Sequence, residues 1–284
     1  MQAVKCLELR VEGTDITAEA FEGLAASLQT LGTSQETDAD TGAVTRLAWF
    51  AMDEDIAAQR ARITAAALLA GAHPEHIRLH ELGDDWASAW QKHWQALPVG
   101  KRLWVRPSFC EPPTDDRIDI VLDPGMAFGT GTHATTQLCL AAIERICGEQ
   151  MPQSMLDMGA GSGLLAIAAA KLGVNNVLAI DNDPTTVEAC RVNAKINGVT
   201  IRSEPDDTPP QARFDLVVAN ILAGPLMKMA PKLAACVGRS LVLSGLLITQ
   251  VEYLCRAYRE AGLTVVRTDT QAEWAAVELR LSSL

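Results

Sequence analysis

The feature that most constrains the fold is an alternation of apolar strand patterns and helical patterns in the second half of the chain. The four strand patterns occupy residues 155–159, 177–181, 214–220 and 239–245. Parallel strands need helical crossovers of this kind. Two more strand patterns, at 263–270 and 274–281, have no helix between them. The chain is therefore predicted to contain an α/β domain whose mostly parallel sheet ends in an antiparallel hairpin.

The first 82 residues follow a different order of elements. The strand patterns lie at 3–11, 33–38, 43–51 and 77–82, and the helical patterns lie at 17–31 and 54–70. This β-α-β-β-α-β order is typical of a small α+β ferredoxin-like domain. Residues 1–82 are therefore predicted to form a domain of their own.

A linker helix is predicted at residues 83–97. Trp86, Trp90 and Trp94 are spaced four residues apart and would form one stripe of this helix. We interpret the stripe as packing against a domain, in preference to stacking on a ligand.

The second domain is predicted to span residues 98–284. It begins with strand patterns at 103–108 and 118–122, ahead of a glycine-rich loop. The acidic, proline-rich stretch at 203–212 is predicted to be an exposed loop between strands.

Composition and charge restrict the class of partner. The chain is 48% hydrophobic and 21% charged, which is typical of folded proteins. The net charge is −11, and residues 1–95 hold seven Lys and Arg against 15 Asp and Glu. Such a field repels nucleic acid phosphates and favours basic partners. We expect a basic protein partner and no direct binding to nucleic acid.

Further patterns concern location, redox state and metals. The N-terminal residues lack the apolar centre of a signal peptide, and no segment has the roughly 18 apolar residues of a membrane span. The seven cysteines are scattered without a CxxC spacing, which indicates reduced thiols. Pro74 keeps His73, His76 and His80 from sharing one helical face. We expect a cytoplasmic protein with no metal site and no membrane contact.

A glycine-rich turn follows the first of the four apolar strands. It contains Gly159, Gly161 and Gly163 and leads directly into an apolar helix. Without Cβ atoms, the backbone of such a turn can approach a ligand closely. The dinucleotide fingerprint requires glycine where this chain has Leu164, which disfavours an NAD-dependent oxidoreductase. The segment 125–133 has no Lys before its Thr, so it is not a phosphate-binding P-loop.

Polar residues end the next two candidate strands. Asp181 is positioned to accept hydrogen bonds from the two hydroxyls of a ribose, and the Asn220 amide carbonyl could accept one from a substrate amine. A helix cap is the alternative role for each strand end. After the strand that ends at Asp181, Asp183 followed by Pro184 already supplies a helix cap. After the other strand, Asn220 could itself cap the helix that follows it. The order of glycine turn, acid and amide favours a ligand site.

The segments DMGAGSG, AIDNDP and NILAGPL resemble the class I methyltransferases that bind S-adenosylmethionine. NILAGPL and VLDPGMAFGTGTHATT together resemble the ribosomal protein lysine methyltransferases of the PrmA family. The resemblance runs from about residue 84 to the C-terminus. It implies a Rossmann-like class I methyltransferase domain after the small N-terminal domain. One departure is Ala134, where the family usually has proline.

The resemblance also implies roles for individual residues. Asn220 and Thr136 would be catalytic and would orient the acceptor amine. The residues implied to bind the cofactor are Phe128, Thr132, His133, Thr136, Gly159, Gly161, Asp181, Asn182 and Asn220. Within this set the glycines would lie against the methionine part, Asp181 would hold the ribose, and Asn182 would lie near the adenine.

By the same resemblance, the chain would transfer methyl groups from S-adenosylmethionine to amino groups of large-subunit ribosomal protein eleven. The acceptors would be lysine side chains and the N-terminus, and the N-terminal domain would recognise the substrate. One alternative is a lysine methyltransferase of another protein, such as the electron-transfer flavoprotein β subunit. Another is a non-catalytic sensor or scaffold that binds S-adenosylmethionine. We expect a monomer.

Overall fold

The computed structural model describes residues 6–13, 15–28, 30, 32–38, 41–82, 96–123 and 133–281. These residues form two compact units, which we call the small unit, up to residue 82, and the large unit, from residue 96 onward. Only the last two residues of the predicted linker helix lie within the described part of the chain. The domain boundaries at residues 82 and 97 therefore stay predictions.

The small unit has the predicted β-α-β-β-α-β order. Its elements are β1 (Cys6–Glu12), α1 (Ala18–Ser27), β2 (Gly32–Thr37), β3 (Val44–Ala51), α2 (Ile56–Leu69) and β4 (Ile77–Leu82). The strands form an antiparallel sheet in the order β2-β3-β1-β4, so β4 lies at one edge. The predicted ferredoxin-like domain is thereby confirmed.

Alternation along β1 determines which face of this sheet is buried. Leu7, Leu9 and Val11 are fully buried, because alternate side chains of a strand point to the same face. Helix α1 adds Phe21 and helix α2 adds Ile63 to the same core. Each such side chain stabilises the fold by about 1.5–3 kcal/mol when it is fully buried.

The large unit begins with a three-stranded sheet. It consists of β5 (Leu97–Val99), β6 (Leu103–Arg106) and β7 (Ile118–Val121), in that order. Strands β6 and β7 confirm the two strands predicted there. Leu97, the last residue of the predicted linker, begins β5. The residue before a proline favours extended backbone, and Pro98 follows Leu97 directly.

The main sheet of the large unit alternates with five helices. Its strands are β8 (Ser154–Met158), β9 (Asn176–Asp181), β10 (Arg202–Pro205), β11 (Phe214–Asn220), β12 (Val237–Leu247), β13 (Leu263–Gln271) and β14 (Trp274–Leu281). Its helices are α3 (Ala134–Glu149), α4 (Leu164–Leu172), α5 (Pro184–Ile196), α6 (Ala223–Ala235) and α7 (Val251–Glu260).

The seven strands lie in the order β10-β9-β8-β11-β12-β14-β13. Neighbours from β10 to β12 are parallel, and β14 is antiparallel to both β12 and β13. The Rossmann-like domain with an antiparallel last strand is confirmed. The loop predicted at 203–212 is wrong at its start, because Arg202–Pro205 forms β10 and pairs with β9. An edge strand can pair through its backbone without apolar side chains, and it tolerates Pro205.

Buried apolar side chains cover both faces of the main sheet. Helices α3, α4 and α5 contribute Ile143, Leu165 and Cys190 to one core. Helices α6 and α7 contribute Leu226 and Leu254 to the other. Strands buried on both faces are continuous apolar runs, which is why the sequence shows the central strands so clearly.

The start of α5 follows from local sequence. The Asp183 carboxylate accepts a hydrogen bond from the Thr185 N–H at 2.8 Å, and Pro184 occupies the first turn. Both the cap and the proline are as predicted.

Within the described residues, no helix combines the length and apolarity needed to cross a bilayer. The seven cysteines, all in this part of the chain, form no disulfide, and six of them are buried. No group of three His, Cys, Asp or Glu side chains among the described residues is arranged to hold a metal ion.

Candidate active site

The carboxyl ends of three neighbouring parallel strands form the candidate site. Met158 of β8 pairs with Ile180 of β9 and with Ala219 of β11. The next residues along the three strands are Gly159, Asp181 and Asn220. Since adjacent strands lie about 4.8 Å apart, the acid and the amide flank the glycine turn at one edge of the sheet.

The glycine turn is tied to β9 by backbone hydrogen bonds. The N–H groups of Gly159 and Ala160 both donate to the Ile180 carbonyl, at 2.8 and 2.9 Å. Gly159 has a φ of 75°, in the left-handed region, and a Cβ there would overlap the Ile221 side chain. Conformation and close approach therefore both require glycine, and the narrow turn leaves its backbone accessible to a ligand.

The Asp181 carboxylate is held beside this turn by two backbone N–H groups. Its Oδ2 accepts from Gly161 at 2.9 Å, and its Oδ1 accepts from Asp183 at 3.1 Å. The residue is half-buried, and a carboxylate oxygen can accept more than one hydrogen bond. The carboxylate is thus oriented by the protein and can still bind hydroxyl groups.

A second acid, Asp157, lies fully buried at the end of β8. Its Oδ2 accepts a hydrogen bond from the Ala166 N–H of α4 at 3.1 Å, and its Oδ1 has no hydrogen-bond partner among the described residues. Burial raises the pKa of Asp157 from 3.8 to about 7; the Ala166 hydrogen bond opposes this shift and the Asp181 charge adds to it. Asp157 therefore keeps its proton up to near-neutral pH.

The side chains of Asn220 and Thr136 are in contact. Nδ2 of Asn220 donates to Oγ1 of Thr136 at 3.3 Å. Because Nδ2 is used in this way, Oδ1 of Asn220 is the atom available to accept a hydrogen bond from an amine. The alternative role of Asn220 as a helix cap is wrong, since α6 begins after Leu222 and has no side-chain cap.

His133 stands at the start of α3, the helix that carries Thr136. Its Nδ1 accepts from the Thr135 N–H at 3.3 Å, and its ring packs edge-on against Trp274 with centroids 4.8 Å apart. Burial lowers the pKa of His133 from 6.5 to about 4, against the opposing effect of Glu273. The imidazole is therefore neutral at pH 7 and orders the first turn of α3.

The remaining predicted site residues are Asn182, Phe128 and Thr132. Asn182 is exposed directly after β9. Phe128 and Thr132 lie outside the described residues. Sequence reasoning missed Asp157 and Trp274 as parts of this edge. An acid inside an apolar strand was a usable signal for Asp157, whereas no local signal connects Trp274 with α3.

Comparisons with known proteins point to one family. The family model described as Ribosomal protein L11 methyltransferase (PrmA) matches residues 7–282. A protein named ribosomal protein L11 methyltransferase from Edwardsiella ictaluri is 47% identical over 182 residues, which cover 62% of this chain and 61% of that protein. A protein of the same name from Escherichia coli O8 is 43% identical over 199 residues, which cover 68% of this chain and 67% of that protein.

This chain is also similar to a solved structure of an L11 methylase. The crystal structure of a ribosomal protein L11 methylase from Lactobacillus delbrueckii subsp. bulgaricus is similar with a TM-score of 0.62 and 31% sequence identity. The match covers 67% of this chain and 100% of that chain. The match to the Edwardsiella relative is less complete, because this chain spans only about three fifths (61%) of the length of that protein.

Proposed function

The chain belongs to the ribosomal protein L11 methyltransferase (PrmA) family, and from this premise we propose that it transfers methyl groups from S-adenosylmethionine to amino groups of ribosomal protein L11. The acceptors in this proposal are lysine side chains and the N-terminus. One observation carries it. The hydrogen bond between Asn220 and Thr136, beside the glycine turn, orients an acceptor atom for an amine at the ligand edge of the sheet.

The residues at this edge fit S-adenosylmethionine. Gly159 and Gly161 form a cradle that a side chain at Gly159 would disrupt, and they would hold the methionine part. Asp181 would bind the ribose hydroxyls, and Asn182 would lie near the adenine. When bound, the cofactor supplies an electrophilic methyl group on a positively charged sulfur.

Orientation is the main task of the protein side chains. Methyl transfer to nitrogen is an in-line displacement, so the rate depends on holding the amine in line with the methyl group. Oδ1 of Asn220 accepts a hydrogen bond from the neutral amine and directs its lone pair. Thr136 fixes the amide through Nδ2, so that Oδ1 faces the amine.

The amine must lose a proton before it can attack. For a lysine with a pKa of about 10.4, this costs roughly 4.6 kcal/mol at pH 7. Desolvation lowers the cost, since a low-dielectric environment disfavours the ammonium form. His133 is a weak proton acceptor, with a pKa of about 4 and an Nδ1 already hydrogen-bonded. We infer that solvent takes the proton before the methyl transfer.

The small unit supplies substrate recognition in this proposal, and its excess of acidic residues suits a basic ribosomal protein. We expect the enzyme to act in the cytoplasm as a monomer, without direct contact to nucleic acid. The relatives compared above do not support the flavoprotein, sensor or oxidoreductase alternatives, because they are named as L11 methyltransferases.

Intact-mass spectrometry of purified L11 tests the proposal. L11 incubated with the full chain and S-adenosylmethionine should gain whole methyl increments, and omission of the cofactor should abolish them. An unchanged L11 mass, with cofactor binding intact by calorimetry, would reject L11 as the substrate and leave the fold and the cofactor site in place.

A further inference from the structure

We propose that an apolar groove on the small unit, between α2 and the edge strand β4, docks the basic substrate protein. The substrate protein would contribute an apolar strip that is flanked by Lys and Arg side chains. The inference rests on the proposed function, because a methyltransferase that modifies one protein needs a surface that selects it. The groove encloses about 530 Å³. Its apolar lining consists of Ala61, Ala65 and Leu68 of α2, Pro74, and Ile77 and Leu79 of β4.

Helix α2 has apolar residues on two faces, and the described residues of the chain cover only one of them. Ile63 is buried in the core of the small unit. Ala61 and Ala65 are exposed, Leu68 is 42% exposed and Leu69 is 90% exposed. Leucine is among the residues most often buried, and a contiguous exposed apolar surface marks an interaction site. The outer face of α2 is therefore suited to burial against a partner.

The groove follows the edge of the sheet without being a site for strand addition. The Arg60 guanidinium donates to the Leu79 carbonyl of β4 at 3.1 Å and is paired with Glu81 at 3.3 Å. A charged side chain over an edge strand obstructs pairing with another strand. The partner therefore inserts side chains into the groove instead of extending the sheet.

The charges around the groove are complementary to a basic protein. Residues 1–82 contain six Lys and Arg against 13 Asp and Glu. Exposed acids stand at both ends of the groove, at 53–55 before α2 and at Glu75 after Pro74. Arg60 and Arg62 of α2 are paired with carboxylates, and the exposed Arg78 of β4 donates to the backbone carbonyls of Glu75 and Ile77. An apolar strip between acidic ends favours a partner with Lys and Arg on either side of its apolar contact.

Two charge-introducing variants test the groove against a matched control. Leu68→Lys and Ala61→Lys place a cation in the groove and keep a residue that favours helix. Val192→Lys is the control, because Val192 is 49% exposed on α5 of the large unit. We expect the KM for L11 to rise about tenfold or more in both groove variants. The kcat, the affinity for S-adenosylmethionine and the thermal unfolding midpoint should stay as in the parent chain and the control.

The measurements separate failure of the groove from failure of the proposed function. Unchanged KM and unchanged L11 affinity by calorimetry in both folded variants, with methylation by the parent chain intact, would overturn the docking site alone. L11 binding that the variants weaken, without methylation by the parent chain, would support the groove and reject the activity. A parent dimer that Leu68→Lys dissociates in sedimentation would assign the groove to a second copy and overturn the proposal.

Discussion

The two units of this chain use their sheets for different purposes. The mostly parallel sheet of the large unit is covered by helices on both faces, and its candidate site residues lie at the carboxyl ends of β8, β9 and β11. The antiparallel sheet of the small unit carries its proposed functional surface along the side, between α2 and β4. Group transfer needs a few polar atoms held in defined positions, whereas recognition of a protein needs apolar area and charge spread over a surface.

The difference also predicts how sensitive each unit is to a single substitution. In the large unit, Asn220 and Asp181 each have defined partners, so one exchange removes a specific interaction. In the small unit, the groove contributes through several exposed side chains. Changes at these two residues of the large unit should therefore alter catalysis or cofactor binding, and changes in the small unit should alter recognition or local stability.

The largest effect is expected for Asn220 in the large unit. Asn220→Ala and Asn220→Asp should each reduce the single-turnover rate of L11 methylation by about 10²–10³, because a preorganised polar contact to the reacting group is lost or becomes charged. The thermal unfolding midpoint should stay close to that of the parent chain. Full activity of Asn220→Asp would contradict the assigned role of the amide.

Asp157 should give the next largest effect, on stability. Its pKa is raised from 3.8 when unfolded to about 7 when folded, so the folded state binds more protons between these values. Stability is therefore lost as pH rises from about 4 to about 7, by an amount on the order of 4 kcal/mol.

Asp157→Asn should remove this dependence, since an amide stays neutral and its oxygen can accept from Ala166. Urea unfolding at pH 5 and at pH 8 measures it. The variant should gain stability over the parent chain mainly at pH 8. An equal difference at both values would show that Asp157 does not titrate in this range.

A smaller loss is expected for Asp181, the acid proposed to bind the ribose. Asp181→Ala should weaken binding of S-adenosylmethionine about ten- to a hundredfold, because hydrogen bonds to a charged group contribute roughly 1.5–3 kcal/mol. Isothermal calorimetry measures this affinity. Asp183→Ala is the matched control, since Asp183 caps α5 and should affect stability only. Equal losses of affinity in both variants would place the ribose elsewhere.

The smallest effect is expected in the small unit. The Asp55 carboxylate accepts a hydrogen bond from the Ala58 N–H at 2.9 Å and caps α2. Asp55→Ala should destabilise the small unit by about 1 kcal/mol, and methylation at saturating L11 should be unchanged. Glu54→Ala removes the same charge without removing a cap, so its unfolding curve should match that of the parent chain. A loss of kcat in Asp55→Ala would contradict the expectation that the small unit affects recognition and local stability but not methyl transfer.

Much of the fold and part of the site were predictable because they depend on neighbours in the sequence. The strand pattern at 77–82 predicted β4, and the Asp183–Pro184 pair predicted the start of α5. Buried parallel strands were clear as apolar runs. The short strands β5 and β10 were missed, because each contains a proline, is only three or four residues long and forms only through pairing with a neighbour.

The sequence by itself determined the two kinds of domain, the glycine turn and the polar residues that end β9 and β11, since each follows from spacing within one segment. Only the tertiary structure decided which distant side chains meet. It joined Asn220 to Thr136, packed His133 against Trp274 and buried Asp157 beside the turn. Contacts between residues far apart in the chain, and the pKa shifts that burial causes, depend on how whole elements pack, and no local pattern encodes that packing.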